Sequence, residues 1–346
     1  MLIYGSTRNA IPATVLMASE DQLIERVRRK FPLSRAQKDG LRVGIGDDAA
    51  VLRSRIGTEC IVTTDAFLEN VHFRRKTYPP KALGYKALAR ATSDIAAMGA
   101  RPRYFFLTIG LPNASAGAWF DDFLDGMARA AQRFNLVLAG GDTTKYPAVV
   151  ASLTVLGEAD RGRAILRSGA RPGDFLCVSG RLGEAELGLR LVQRRLHERR
   201  RWTNLLRKHL YPEPRLAMGQ WLSMNRCATS MIDTSDGLST DLQHICKASG
   251  VGAVVWTAKI PAVKVPRGLQ RSGLDHLEMA LHGGEDYELL FTVPKRLAGK
   301  LPRRVRGVPM TIIGEITHGK KVVMLEPSGR TTPLDPKGWD PFRKKL

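Results

Sequence analysis

Two spacings of hydrophobic residues alternate along the first 160 residues of the chain. Short apolar, β-branched runs have the composition of strands, and the longer stretches between them repeat apolar positions at helical spacing. The pattern predicts helices over 21–31, 80–98 and 119–134 and strands over 60–64, 104–111, 136–139 and 149–156. Such alternation predicts an α/β arrangement, in which helices cover mixed sheets.

A break rich in Gly, Arg and Pro covers 160–173, and a second series of elements follows it. That series has strands over 174–179, 228–232, 287–293, 311–316 and 321–325 and helices over 182–196, 215–224 and 238–249. A chain of 346 residues is long for one hydrophobic core. We therefore predict two domains, 19–160 and 161–346, after an extension over 1–18 that we expect to be disordered, with Met17 as an alternative start.

Composition excludes several classes of protein. Hydrophobic residues make up 43% of the chain, as in ordinary globular proteins. The scattered cysteines form no Cys-x-x-Cys pair, which argues against a disulfide framework and a zinc site and fits a reducing cytoplasm. No apolar run approaches the roughly 20 residues of a membrane helix, so we expect no contact with a membrane.

The formal net charge is +21, and part of it is concentrated in one segment. Residues 190–208 contain seven arginines, one lysine and one glutamate, interleaved with leucines as on an amphipathic helix with a solvated basic face. A basic surface also fits a protein that binds nucleic acid, which remains an alternative. No zinc finger, helix-turn-helix or aromatic-interleaved basic strand supports that alternative.

Negative charge is scarce and recurs in short motifs beside Gly, Ser and Thr. The motifs are Gly46-Asp47-Asp48, Thr63-Thr64-Asp65, Ser93-Asp94, Gly140-Gly141-Asp142-Thr143-Thr144, Asp233-Thr234-Ser235-Asp236-Gly237 and Gly283-Gly284-Glu285-Asp286-Tyr287. Carboxylates held close together repel one another unless a cation lies between them. Oxygen-rich and histidine-poor surroundings favour Mg²⁺ carrying a phosphate. The motifs therefore predict an enzyme that acts on nucleotide phosphates.

Each motif alone is ambiguous, because a turn with solvated acids accounts for most of them. Gly44 to Ala49 has the spacing of a dinucleotide loop, but two aspartates there would repel a bare pyrophosphate. Asp65, Asp142 and Asp233 each follow an apolar run, so we expect them at strand ends, where α/β proteins commonly assemble their sites. The chain has no P-loop, protein-kinase or Gly-x-Ser-x-Gly motif.

Taken in order, the motifs resemble those of the thiamine-monophosphate kinases, within the aminoimidazole-ribonucleotide-synthetase-like superfamily. The resemblance runs from about residue 20 to Phe342 and includes Val-His-Phe, Tyr-Lys-Ala-Leu-Ala, Arg-Ser-Gly-Ala-Arg-Pro-Gly-Asp and Lys-Gly-Trp-Asp-Pro-Phe besides the acidic motifs. It implies a two-domain α/β subunit that forms a homodimer. The implied reaction transfers the terminal phosphoryl group of ATP to thiamine monophosphate.

The resemblance also implies roles for particular residues, although His72, Arg167 and Trp339 would not stand out by chemistry alone. Several Mg²⁺ ions would be held by Asp48, Thr63, Thr64, Asp65, Asp94, Asp142, Asp233 and Asp236. ATP would contact Gly141, Asp142, Arg167 and Ser235, and the thiamine phosphate would contact His72, Glu285 and Trp339. Another ATP-using member of the superfamily, a ribonucleotide cyclo-ligase or a selenophosphate synthetase, is the alternative.

Overall fold

Two β-sheets with helices packed on them organise the chain. The computed structural model describes residues 20–34, 40–46, 49–195 and 200–342, so the predicted extension and Asp48 lie outside the described residues. The helices are α1 Glu20–Lys30, α2 Pro80–Ala97, α3 Ala118–Phe134, α4 Glu184–Gln193, α5 Arg207–Leu210, α6 Leu216–Met224, α7 Leu238–Ser249, α8 His276–His282 and α9 Lys295–Ala298. The strands are β1 Leu41–Val43, β2 Val51–Leu52, β3 Thr58–Leu68, β4 Arg101–Leu111, β5 Val137–Lys145, β6 Val150–Asp160, β7 Phe175–Ser179, β8 Ser230–Asp233, β9 Gly252–Trp256, β10 Leu289–Val293, β11 Arg304–Val305, β12 Val308–Thr317, β13 Val322–Leu325 and β14 Thr331–Pro333.

The first sheet has four strands in the order β3-β6-β4-β5, and only the β4–β5 pair is parallel. One face packs against α2 and α3 around buried residues such as Phe105, Phe123 and Leu153. The two helices meet at glycines, because a Cβ on Gly84 would lie 1.8 Å from the Phe123 carbonyl oxygen. A Cβ on Gly126 would lie equally close, 1.8 Å, to the Lys81 carbonyl oxygen. This backbone contact sets the distance between the helices.

The opposite face of the first sheet is only partly covered, and we call it the open face. A small cluster that includes Leu41 and Tyr104 packs on one end of it. Elsewhere Thr64 and Ala66 of β3 are exposed, and Val62 is 59% exposed. Strand alternation places these three residues on the same side.

The second sheet has the strand order β14-β13-β9-β12-β7-β10-β8, and β11 pairs with β12. A hydrophobic cluster that includes Leu242 and Ile245 of α7 covers one of its faces. A different cluster joins Leu222 of α6 and Phe291 of β10 to Ala96, near the end of α2. The hydrophobic packing therefore continues from the second sheet to a helix of the first.

Predictions and structure differ at the ends of several elements. β3 and β5 are longer than predicted, so Asp65 and Asp142 lie within strands and not at strand ends. Asp233 is the last residue of β8, as expected. The prediction of one amphipathic basic helix was wrong, because α4 ends at Gln193 and Arg195 has a left-handed φ of 55°. After residues 196–199, which lie outside the described part, a 3-10 turn continues at Arg200–Leu206.

The unpredicted 3-10 turn has a packing reason. Trp202 and Leu206 are buried there with Leu187 and Leu191 of α4, which requires the chain to turn back onto that helix. In the part of the chain that the structure describes, none of the helices is long and apolar enough to cross a membrane.

Candidate active site

Helix α2 carries a polar stripe into the junction between the two domains. Most of the helix is buried, and yet Lys86, Arg90 and Asp94 recur every four residues and so lie along one face. Each of these side chains contacts an acidic or hydroxyl group of another element. α2 thus positions three charged groups of the site from one rigid element.

A cluster of aspartates lies around the second half of this stripe. Thr63 donates a hydrogen bond of 2.5 Å from its hydroxyl to Asp94. Burial raises the pKa of Asp94, and the negative charge of Asp65 adds to that shift. Burial and Asp94 together raise the pKa of Asp233 to about 7, and Asp233 is only 2% exposed. Like charges are thus held together in a place that favours a cation.

The turn after β8 supplies the next acids. Burial raises the pKa of Asp236, while His244, Arg90 and Arg167 oppose that shift. Asp241, at the start of α7, accepts backbone hydrogen bonds of 3.3 Å from Asp236 and 2.9 Å from Gly237. Asp241 therefore fixes the turn and has a structural task of its own.

Arg167 is placed beside these acids by backbone pairing. The Met231 amide donates to the Leu166 carbonyl at 2.9 Å, which aligns the segment of Arg167 with β8. Arg167 lowers the pKa values of Asp94 and Asp233, against the larger effect of burial. An exposed arginine next to buried acids is suited to a negatively charged ligand.

Asp65 and Glu285 are each paired with a cation of α2. Arg90 donates to both carboxylate oxygens of Asp65, at 3.2 and 3.3 Å. Lys86, which is 3% exposed, donates to Glu285 at 2.7 Å, and the His209 ring lies 3.4 Å from the same oxygen. Burial alone would raise the pKa of Glu285, but Lys86, His209 and Arg90 lower it to about 2. Glu285 is therefore held as a carboxylate.

His72 is held in one tautomer. Its Nδ1 accepts a hydrogen bond of 3.0 Å from the Leu68 amide, and its ring stacks on Phe67. Burial, and to a smaller extent Arg90, lower the pKa of His72 to about 4. The neutral ring therefore carries its proton on Nε2, where it can donate a hydrogen bond to a ligand. Glu285 also affects this pKa, which places the two predicted substrate residues near one another.

Two backbone hydrogen bonds connect Glu285 and Trp339 to the turn after β8. The Glu285 amide donates to Ser235 at 2.8 Å, and the Trp339 amide donates to Asp236 at 2.9 Å. Trp339 stays 42% exposed, so its indole is available to a ligand. Glu285 has a left-handed φ of 65°, an uncommon backbone conformation for a residue with a side chain.

Thr64, Gly141 and Asp142 do not join this cluster within one chain. Thr64 faces the open face and lies 2.9 Å from the Thr154 hydroxyl, opposite to Thr63 and Asp65. The strand register aligns Asp142, across Thr108 and Ser152, with Ala66 of β3. Asp142 is therefore on the open face, three strands or about 14 Å from β3. Gly141 lies beside it on β5, the edge strand.

The sequence interpretation missed Lys86, Arg90 and His209. The first two carry a readable signal, since basic residues four apart are unusual in an Ala-rich helix that is otherwise apolar. His209 carried no comparable signal, because it directly follows the basic segment 190–208 and its burial depends on how the chain folds there.

The side chains around Asp94 and Asp233 fit Mg²⁺ by their chemistry. Thr63, Asp65, Asp94, Asp233 and Asp236 provide only hard oxygen atoms, which Mg²⁺ prefers. Within the described residues, no three acidic, histidine or cysteine side chains form a complete metal cage. Mg²⁺ usually keeps several waters and shares its remaining ligands with phosphates, so a partial set fits this ion. Burial and the neighbouring Asp94 raise the pKa of Asp233 more than Arg167 lowers it, so added positive charge would favour the ionised acid.

The comparisons with known proteins agree with this fold. The family models described as AIR synthase related protein match residues 46–159 with the N-terminal domain and 171–325 with the C-terminal domain. The thiamine-monophosphate kinase of Escherichia coli K12 is 38% identical over 321 residues, 91% of this chain and 97% of that protein. The two matched domains place the chain in the AIR-synthase-related class of proteins. The chain belongs to the thiamine-monophosphate kinase family.

Solved structures give the same result. The crystal structure of the thiamine-monophosphate kinase from Stenotrophomonas maltophilia K279a superposes with a TM-score of 0.76 at 36% identity, covering 87% of this chain and 95% of that one. A structure of AaThiL complexed with AMPPCP and TMP superposes with a TM-score of 0.74 at 32% identity, covering 85% of this chain and 91% of that one.

Proposed function

We propose that the protein transfers the terminal phosphoryl group of ATP to thiamine monophosphate and forms thiamine diphosphate, the last step in the biosynthesis of that cofactor. The observation that carries the proposal is the meeting of Asp94, Asp233 and Glu285 at the domain junction. Relatives named for this activity align with both domains at up to 38% identity. One relative was solved with AMPPCP and TMP, an ATP analogue and the proposed acceptor.

The acceptor needs little acid–base help. A phosphate monoester has a second pKa near 6, so its oxygen is already an anionic nucleophile at pH 7. The difficulty is instead that two polyanions must meet in line while charge spreads over the transferring group. When bound, Mg²⁺ supplies the positive charge that makes this approach favourable.

The residues divide this work among them. Thr63, Asp65, Asp94, Asp233 and Asp236 would hold the metal ions, and Arg167 and Ser235 would contact ATP. On the acceptor side, the Nε2 proton of His72 would donate to an oxygen of thiamine monophosphate. Glu285 would face the cationic part of the substrate, and Trp339 would stack against it by cation–π attraction. Asp48 and Thr64 are part of the same proposal as further metal ligands.

We also propose that the protein is a cytoplasmic homodimer and that Asp142 acts across the dimer interface. The open face carries exposed Val62 beside polar Thr64, and a second copy facing it would cover both. Asp142 lies on that face, away from its own chain's acid cluster. A second copy would bring Gly141 and Asp142 of the partner subunit toward the phosphates of ATP.

A direct assay tests the proposed reaction. Purified protein is incubated with ATP, Mg²⁺ and thiamine, thiamine monophosphate or purine-pathway ribonucleotides, and the products are separated chromatographically. We expect thiamine diphosphate from thiamine monophosphate alone, and no product when EDTA replaces Mg²⁺. Turnover of a ribonucleotide, with no thiamine diphosphate under any metal condition, would instead assign the protein to another activity of the superfamily.

A further inference from the structure

A basic cavity lies away from the aspartate cluster. It has a volume of about 950 Å³ and is lined by residues of both domains, from the end of α3 to the turn between β11 and β12. Seven basic and two acidic residues of the described chain line it. The site proposed above uses none of these residues.

Some of the basic charge is neutralised by partners. Lys208 and Arg215 both donate to Glu288, at 2.5 and 2.6 Å, and this carboxylate is fully buried behind the wall. Arg133 pairs with Glu213. One carboxylate shared by two cations leaves a positive charge at the wall.

Further cations have weaker partners or none. Arg181 lies 3.8 Å from Glu184 in an exposed pair. Arg207, Lys264 and Arg306 are exposed and make no ion pair with any described residue. Seven cations against three carboxylates, counting Glu288, leave an excess of four positive charges around one concave space.

We propose that this cavity is a second ligand site, which binds an organic diphosphate or triphosphate. At pH 7 the terminal phosphate of such a chain carries about 1.5 to 2 negative charges and each inner phosphate about one, so a diphosphate or triphosphate brings about three or four charges against the excess. Leu187, Val263 and Val308 add apolar wall suited to a flat ring. The volume lies within the range of small-ligand pockets, whereas a nucleic acid would need a basic surface that follows its backbone.

The cavity also adjoins the proposed acceptor site. Lys208, in its wall, directly precedes His209 in α5, and His209 contacts Glu285 at 3.4 Å. Arg133 and Phe134 extend the wall into the first domain. A ligand in the cavity would therefore contact both domains and the helix that supports Glu285.

Calorimetric titration of the full chain with inorganic tripolyphosphate, in EDTA, tests the proposal. Without metal the aspartate cluster repels the probe, so binding reports on the cavity. We expect one saturable site per chain. The variant Arg207→Glu/Lys264→Glu/Arg306→Glu should bind at least about tenfold more weakly, as three partly screened contacts imply.

A matched control separates the cavity from general charge. The variant Lys300→Glu/Lys320→Glu/Arg330→Glu reverses three exposed cations of the same domain that do not line the cavity. We expect it to bind tripolyphosphate as the natural protein does. Equal weakening in both triple variants, no change in the cavity variant, or no binding by the natural protein would each overturn the proposal.

Single substitutions keep the proposal testable if the triple variant fails to fold. Arg207→Gln, Lys264→Gln and Arg306→Gln should each weaken binding about two- to fivefold, with unchanged circular dichroism. If all three variants bind tripolyphosphate as the natural protein does, the cavity is not the binding site and the proposal is overturned.

Competition identifies the class and source of the ligand. ATP and thiamine diphosphate, the latter chosen on the basis of the proposed function, are each titrated against bound tripolyphosphate. Displacement by either at equal or lower concentration supports an organic ligand and names its source. An oligonucleotide that displaces the probe at lower concentration than both would overturn the proposal in favour of nucleic acid. Tripolyphosphate binding does not depend on kinase activity, so failure of one proposal leaves the other standing.

Discussion

At the scale of single residues, the site is built from charges held by opposite charges on one helix. Lys86 and Arg90 each hold one carboxylate, Glu285 and Asp65 respectively. Asp94, the third member of the stripe, accepts a hydrogen bond from the Thr63 hydroxyl and lies close to Asp233. In the proposed reaction Glu285, held by Lys86, would face the acceptor, while Asp65, Asp94 and Asp233 would hold the metal ions.

Replacing Lys86 by methionine tests the first half of this division. The Glu285 carboxylate would be left without its nearest cation, which we expect to destabilise the fold by about 3 kcal/mol. The KM for thiamine monophosphate should rise about tenfold while the KM for ATP stays unchanged, as measured by steady-state kinetics. The double variant Lys86→Met/Glu285→Gln should recover stability but not substrate affinity.

The matched control is Lys81→Met, on the same helix but exposed and paired with Asp122. It should leave stability and both KM values unchanged. If Lys86→Met changes the KM values for ATP and thiamine monophosphate equally, Lys86 has no specific role in binding the acceptor.

The buried acid Asp233 should make the stability of the metal-free fold depend on pH. The pKa of Asp233 is raised to about 7 in the fold from an ordinary value of 3.8. A raised pKa means that the protonated form is favoured in the fold, so the metal-free fold loses stability as the pH rises from about 4 to about 7. Asp233→Asn removes this loss, so the difference between its Tm and that of the natural protein should grow in favour of the variant from pH 4 to pH 8. Thermal unfolding in EDTA measures the difference.

Metal binding should show the opposite trend. Mg²⁺ requires the ionised carboxylate, so its affinity in the presence of a non-hydrolysable ATP analogue should rise about tenfold between pH 6 and pH 8. Asp233→Asn should bind Mg²⁺ more weakly and with a flatter pH profile. An unchanged profile in this variant would show that another acid controls the binding.

At the scale of elements, the sequence predicted the type of most long elements, missed β9 and α8, and was less informative about length. α2, α3 and α7 lie within about one residue of their predicted bounds, because Pro and Gly mark their ends. β3 and β5 continue through polar motifs, since sheet pairing stabilises residues whose own propensity is low. Strand pairing also decides on which face of the sheet Asp142 lies, and the local sequence pattern does not show this face.

The glycine contact between α2 and α3 gives a prediction for these elements. Gly84→Ala would place a Cβ 1.8 Å from the Phe123 carbonyl oxygen, so the helices must separate. We expect a loss of about 3 kcal/mol in the free energy of unfolding, measured with urea. Gly299→Ala is the control, because its φ of −68° suits alanine and no atom lies within 4 Å. A Gly84 variant as stable as the control would contradict the close backbone contact.

At the scale of the whole molecule, one chain does not bring all of the predicted site residues together. The acid cluster lies at the domain junction, and Asp142 lies on the open face at the opposite edge of the sheet. The α/β class of the fold and most acids of the cluster could be predicted from local motifs and their order. The proposed completion of the site by a second copy depends on the open face, a surface that sequence patterns do not reveal.

Mixing two inactive variants decides whether Asp142 serves its own chain or the other one. Asp94→Asn and Asp142→Asn should each abolish most of the turnover while the circular dichroism stays unchanged. If Asp142 acts across the interface, a mixed dimer contains one natural site, with Asp94 from one chain and Asp142 of the partner subunit. Refolding the two variants together at equal amounts should then restore about a quarter of the natural activity, since half of the dimers are mixed and each has one good site. If both residues belong to the same site of one chain, no mixture regains activity, and Val62→Glu, which should separate the dimer, would leave turnover per chain intact.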